Sequence, residues 1–113
     1  MKASEMMACW AGEFIALNDD PQGKQGRLKF AVVAWNLACQ PKKARAQKAA
    51  GFLARLREVN PTGDHQAMQH DLELLIKFKL RMFPDDRRQF LEARLEMTEQ
   101  GKDAITVVFV PQK

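Results

Sequence analysis

Residues 28–39, LKFAVVAWNLAC, constrain this chain more than any other stretch. On a helix, Leu28, Ala31, Val32, Trp35 and Cys39 make one face, while Phe30, Val33, Ala34 and Leu37 cover most of the rest. Lys29, Asn36 and Gln40 leave only a narrow polar strip. A helix apolar on nearly every side either crosses a bilayer or is packed on several sides. Its dozen residues fall short of the roughly 20 that a membrane span needs. The expectation is a central core helix with the other elements wrapped around it.

The flanking signals divide the chain into elements. Ala3, Met6, Met7, Trp10, Phe14 and Leu17 recur at helical spacing and predict a first helix over residues 3–17, with Cys9 turned inward. Asp20-Pro21 is an N-cap followed by a proline at the first helical position. Gln40-Pro41 ends this second helix, because a residue before proline avoids the helical region, so its range is 21–40. A third helix, 42–59, shows Ala49, Phe52, Leu56 and Val59 on its buried side, with Leu53 on the shoulder. After the Asn60-Pro61-Thr62-Gly63 turn, Asp64 caps a fourth helix, 64–83, lined inside by Met68, Leu72, Leu75, Ile76 and Phe83. Leu74, Phe78 and Met82 widen its apolar arc, so a second flank needs a cover.

Beyond Pro84 the pattern changes. Leu91, Ala93, Leu95 and Met97 alternate with polar residues, and Ala104–Val110 is dense in β-branched side chains. A lone strand would leave its backbone groups unpaired. A hairpin with strands 90–98 and 103–110 is therefore preferred over a fifth helix at 87–97 followed by a single strand. Setting Leu95 opposite Val107 puts Met97 opposite Ile105 and Ala93 opposite Phe109, giving an apolar face that would cover the open flank of the fourth helix. The expected fold is mostly α (α+β): one domain over residues 1–113, a four-helix bundle around an apolar second helix, then a C-terminal β-hairpin. A chain of 113 residues can bury such a core without disulfides or metal.

Charge is uneven. The net charge is +4, yet residues 24–57 hold no acid at all, and the segments before and after are each net negative. This asymmetry points to an acidic partner. Lys42, Lys43, Arg45 and Lys48 gather at the start of the third helix, where cations oppose the macrodipole. Acids from the flanking segments or water would neutralise them there; the other reading is an anion or partner docked at that helix start. Along that helix the basic residues point in several directions, and no exposed aromatics interleave with them as base stacking requires.

Catalytic constellations are not expected. His65 and His70 are about 140° apart on a helix, so they do not form a zinc pair. Gly23-Lys24-Gln25-Gly26 lacks the spacing of a phosphate loop. Cys9 and Cys39 read as packed thiols rather than a disulfide. Asp85-Asp86-Arg87-Arg88 reads as mutually neutralising charges in a solvated turn. Lys79, amid Leu72, Leu75, Ile76 and Phe83, reads as a lysine laying its stem on apolar surface with its ammonium in water. Asn36 reads as a satisfied core amide.

These readings lead to a non-catalytic interaction or self-association module, without cofactor or metal. Its interface is the outer face of the hairpin, Thr106, Val108 and Val110, where two valines stand in places a solvated strand would fill with polar residues. The partner is another protein or a second copy in a homodimer. The alternative is a nucleic-acid-binding accessory protein using residues 24–57. No membrane span is expected. Glu5 and Glu13 interrupt the N-terminal apolar run, so no secretory leader is expected, and the setting is the cytosol of a bacterium.

Overall fold

The computed structural model describes residues 3–17, 20–97 and 103–109. Four helices, α1 (Ala3–Ile15), α2 (Pro21–Ala38), α3 (Lys42–Val59) and α4 (His65–Met82), precede two antiparallel strands, β1 (Phe90–Met97) and β2 (Asp103–Phe109). The boundary chemistry follows the residues. Asp20 accepts the Gly23 amide at 2.8 Å and Asp64 accepts the Ala67 amide at 3.0 Å, each side chain satisfying an otherwise orphaned donor in the first turn. Pro21 sits at the start of α2, and Pro41 and Pro84 follow the ends of α2 and α4.

α2 is the hub. Trp35, Leu28, Ala31 and Ala34 are fully buried. Trp10 of α1 meets Trp35 edge-on at 5.3 Å, and Phe83 and Phe90 flank the same indole at 5.8 and 5.2 Å. α1, α4 and β1 all pack on α2. Both indole N–H groups are used: Trp10 donates to the Leu75 carbonyl at 2.9 Å and Trp35 to the Arg88 carbonyl at 2.7 Å. Satisfying those donors offsets the desolvation of the two buried indole N–H groups.

Several expectations need correction. α1 stops at Ile15, so Leu17 lies beyond it and is 71% exposed. Its inward arc is Met6, Met7, Trp10, Ala11 and Ile15, which puts Cys9 on the far side, exposed. α3 is peripheral rather than half-embedded: none of its residues is fully buried, and Val59, its last, is 82% exposed. Only Ala49, Phe52 and Leu53 reach the core. The alanines and cations that make up much of α3 bury little area, so the larger side chains of α1, α4 and β1 take the places beside α2.

The hairpin is present, but its register is two residues from the expected one. Ala93 faces Val107, Leu95 faces Ile105 and Met97 faces Asp103. A shift of two keeps every side chain on its face, so alternation could not discriminate between the two. A bulge between Phe90 and Glu92 brings Phe90 and Ala93 to the same buried face and leaves Leu91, expected inside, 65% exposed. The hairpin also covers a different neighbour. β1 lies on α2 and β2 on α1, and neither contacts α4 among the described residues. The second flank of α4 stays open, with Phe78 41% and Met82 47% exposed.

Two side chains of α2 explain this placement. Asn36 Nδ2 donates to the Phe90 carbonyl and its Oδ1 accepts the Phe90 amide, both at 2.8 Å. Three helical turns earlier, Gln25 Nε2 donates to the Ala93 carbonyl at 3.0 Å and its Oε1 accepts the Leu95 amide at 2.7 Å. Each carboxamide presents a donor and an acceptor as a neighbouring strand would, so the edge of β1 away from β2 is capped by α2. The bulge aligns Phe90 with Ala93 and Leu95 so that one helix face can serve all three.

Candidate functional site

The four cations at the start of α3 do not converge. Arg45 turns back onto α2, its Nη2 donating to the carbonyls of Gln40 at 3.1 Å and Ala38 at 3.4 Å. It thereby caps the negative end of α2, a favourable use of a cation. Its Nε is buried without a hydrogen-bond partner among the described residues. Lys48 donates to Gln40 Oε1 at 3.0 Å. Lys43 is exposed, and only Lys42 and Arg45 reach the recess described next. The α3 N-terminus begins after Pro41 with no side-chain cap.

That recess is an open groove of about 670 Å³ between α3 and α4. Its floor comes from Ala46, Ala49 and Leu53 on one helix and Leu72, Ile76 and Leu80 on the other. Lys42, Arg45, Arg57 and Lys77 stand on the rim, with Glu73 the one carboxylate and Gln69 bonded to it at 3.3 Å. Lys42, Arg57 and Lys77 are in no ion pair among the described residues. The groove exists because α3 contributes alanines where a longer side chain would meet α4. Expecting the whole apolar side of α3 to be buried hid it; the acid-free run through residues 24–57 was the signal pointing to it.

The outer face of the hairpin is mixed. Thr106 is exposed and Val108 46% exposed, while Val110 lies outside the described residues. On β1 the same face carries Glu92 and Arg94, ion-paired at 2.6 Å in solvent.

A second cluster is buried. Lys79 is 1% exposed, so its ammonium does not reach water as the sequence suggested. Nζ donates to the carbonyls of Phe83, at 2.8 Å, and of Asp86, and lies 4.9 Å from the centre of the Trp35 ring. The Cys39 thiol points at the Asp86 and Arg88 carbonyls at 3.8 and 3.7 Å. Burial pushes that thiol above its ordinary pKa, partly offset by the Lys79 charge. Asp86 accepts from Arg88 Nε at 3.1 Å and Nη2 at 2.7 Å, and these bonds hold its carboxyl below the usual range and raise the Arg88 guanidinium. All these groups converge on the backbone of residues 83–88. Their chemistry is to fix the bend between α4 and β1: the ammonium adds charged donors to the Phe83 carbonyl, which also accepts the Asp86 amide at 3.3 Å, and to the Asp86 carbonyl, which otherwise has only the weak Cys39 thiol contact among the described residues.

His65 bonds the Asn60 carbonyl at 2.9 Å, and among the described residues no three His, Cys, Asp or Glu side chains come together to hold a metal. No helix among them is long and apolar enough to cross a membrane. Compared with protein-family models, curated proteins and solved structures, the chain shows no significant match to any.

Proposed function

We propose that the chain is a small protein-interaction module whose docking surface is the α3–α4 groove. The observation that carries this is the groove itself: an open apolar floor of Leu53, Leu72, Ile76 and Leu80 between two helices, beneath Lys42, Arg57 and Lys77, which make no ion pair among the described residues. Apolar recesses of this size with a few polar groups at the rim are the usual form of binding sites. α3 packs on the core through Ala49, Phe52 and Leu53 but has no fully buried residue, and its Ala46 and Ala50 are exposed along the groove for a partner. Two unpaired thiols suit a cytosolic setting.

The test is a groove plug. Ala46 is exposed and lines the groove, so Ala46→Trp should fold normally while filling it. A leucine-faced model helix, mapped by amide NMR shifts, is expected to perturb Ala46, Leu53, Ile76 and Leu80 in the wild type and not in the plugged variant. Shifts elsewhere, or none, would end the proposal.

The hairpin supports a second reading, self-association. Leu91 and Val108 are large exposed apolar side chains, and the sheet has only two strands among the described residues. Val108→Lys should then lower the mass measured by light scattering; a wild-type chain monomeric at all concentrations removes this reading. The basic run of 24–57 supports nucleic-acid binding less well, since Arg45 and Lys48 are turned onto the α2–α3 joint and break any continuous track.

A further inference from the structure

We infer that the occupant of the α3–α4 groove is an acidic amphipathic helix of another protein, an inference resting on the docking role proposed for that groove. Lys42 and Arg57 both stand on its rim, and the helix between them rises about 22 Å, room for roughly four turns of a helix laid alongside. The α3 wall is thin, built on Ala46 and Ala49, whereas α4 offers Ile76 and Leu80. A ligand that fills such a groove must bring its own bulk, which a helix does with large apolar side chains at i, i+3 or i+4, and i+7.

Charge selects among the ligands that could do so. Lys42 and Lys77 lie on the rim without an ion pair among the described residues, as does Arg57, against the lone carboxylate of Glu73. Acidic residues flanking the apolar stripe of the incoming helix meet these cations in partly desolvated positions, where attraction is stronger than in open water. A nucleic-acid strand is disfavoured, because phosphates would be pressed onto leucine and isoleucine.

A second copy of this chain does not meet the requirement with its own described helices. The outer face of α1 is acidic, with Glu13 exposed, but its large apolar side chains Met6, Met7, Trp10 and Ile15 are turned into the core. α4 exposes Phe78 and Met82, but beside Lys77 and Arg81. Neither sets exposed apolar bulk between acids on both flanks: the one acid of α4 in line with Phe78 and Met82 is Asp71, which is half-buried.

The experiment uses the full chain and synthetic helices of about 16 residues, long enough for the four turns. One carries leucines on one face with glutamates on both flanks; a second keeps the leucines and replaces the glutamates by lysines. Binding is read by fluorescence anisotropy at low and high salt, with the Arg57→Glu/Lys77→Glu double variant and Ala46→Trp alongside. The acidic helix is expected to bind about tenfold more tightly than the basic one at low salt. That gap should narrow with salt, invert in the double variant and vanish in Ala46→Trp. Equal binding of both helices, blocked by Ala46→Trp, would overturn the acidic-partner inference while leaving the groove as a docking surface. Binding of neither, or binding indifferent to Ala46→Trp, would overturn both. Self-association of the chain that Ala46→Trp abolishes would assign the groove to a second copy and overturn the inference.

Discussion

Replacing Asn36 by leucine tests the central packing argument. The substitution keeps size but removes both hydrogen bonds to Phe90, whose residue is 2% exposed. Water cannot reach the freed amide and carbonyl unless β1 lifts from α2. A buried donor or acceptor left unpaired costs about 1–3 kcal/mol, so Asn36→Leu should destabilise by about 2–6 kcal/mol, less what the new methyl groups recover. A domain of this size is stable by only about 5–15 kcal/mol, so the loss is a large fraction of the total. Gln25→Leu should cost less, because one of the two residues it serves, Leu95, is half-buried, whereas Asn36 places both its bonds on the buried Phe90.

Urea unfolding followed by tryptophan fluorescence reads both effects, since Phe90 lies against Trp35. The double variant adds discrimination. If the two amides act independently, 11 residues apart on α2, their costs should add to within about 0.5 kcal/mol. If the hairpin detaches as a unit, the second substitution should cost little once the first is made. Native-state hydrogen exchange gives a separate readout: the amides of Phe90 and Leu95, on the edge of β1 that faces α2, should be protected in the wild type and exposed in the respective variants. Asn36→Leu within 0.5 kcal/mol of the wild type, or a Phe90 amide exchanging like an open-edge amide, would refute the claim that α2 serves as the missing strand.

Three further outcomes are expected. Lys79→Met should destabilise by about 1–3 kcal/mol, because the Phe83 and Asp86 carbonyls lose a buried donor; an unchanged urea midpoint would show that the ammonium is dispensable there. The Asp86 carboxyl is held low in the folded state, so its contribution is present above its unfolded pKa and is lost as pH falls from the ordinary carboxylate value, about 4, towards the lowered one. Asp86→Asn should therefore cost about 1 kcal/mol at neutral pH, Arg88 being 44% exposed, and flatten the acid limb of the stability curve; parallel limbs would contradict this. Cys9 is exposed whereas Cys39 is half-buried with its thiol pKa raised, so a thiol reagent at mildly alkaline pH should label one cysteine fast and one slowly. Cys9→Ser should delete the fast phase alone, and loss of the slow phase instead would invert the assignment.

Much of the architecture was legible because its signals are local. Asp20-Pro21, Asp64, Gln40-Pro41 and Pro84 each act on the first or last turn of their own helix, and the apolar run around Trp35 admits no surface position. The strands were readable from alternation and β-branching. What escaped depends on long-range geometry. The bulge at Leu91 and the two-residue register are decided by amides 54 and 68 residues away in α2, and a shift by two is invisible to alternation. Periodicity alone puts the Lys79 ammonium in water, because carbonyls able to receive it appear only once residues 83–88 fold back over Trp35. The groove escaped for a related reason: periodicity shows that α3 has an apolar side, but not which other helix wins the place beside α2.

The polar bonds that cross between elements also bear on how a partner would engage. Trp10 ties α1 to α4, Trp35 ties α2 to the segment before β1, Gln25 and Asn36 tie α2 to the hairpin, and Lys79 ties α4 to the bend that follows it. α3 joins this framework through Arg45 and Lys48 at its first turns and through Phe52 against Phe30 at 5.7 Å. A helix entering the α3–α4 groove can therefore displace α3 slightly without opening a buried hydrogen bond elsewhere. Its apolar side chains would cover Leu53, Ile76 and Leu80, which the free chain leaves lining an open recess. The gain from that burial falls on α3, which has no fully buried residue, so docking would add to local stability there.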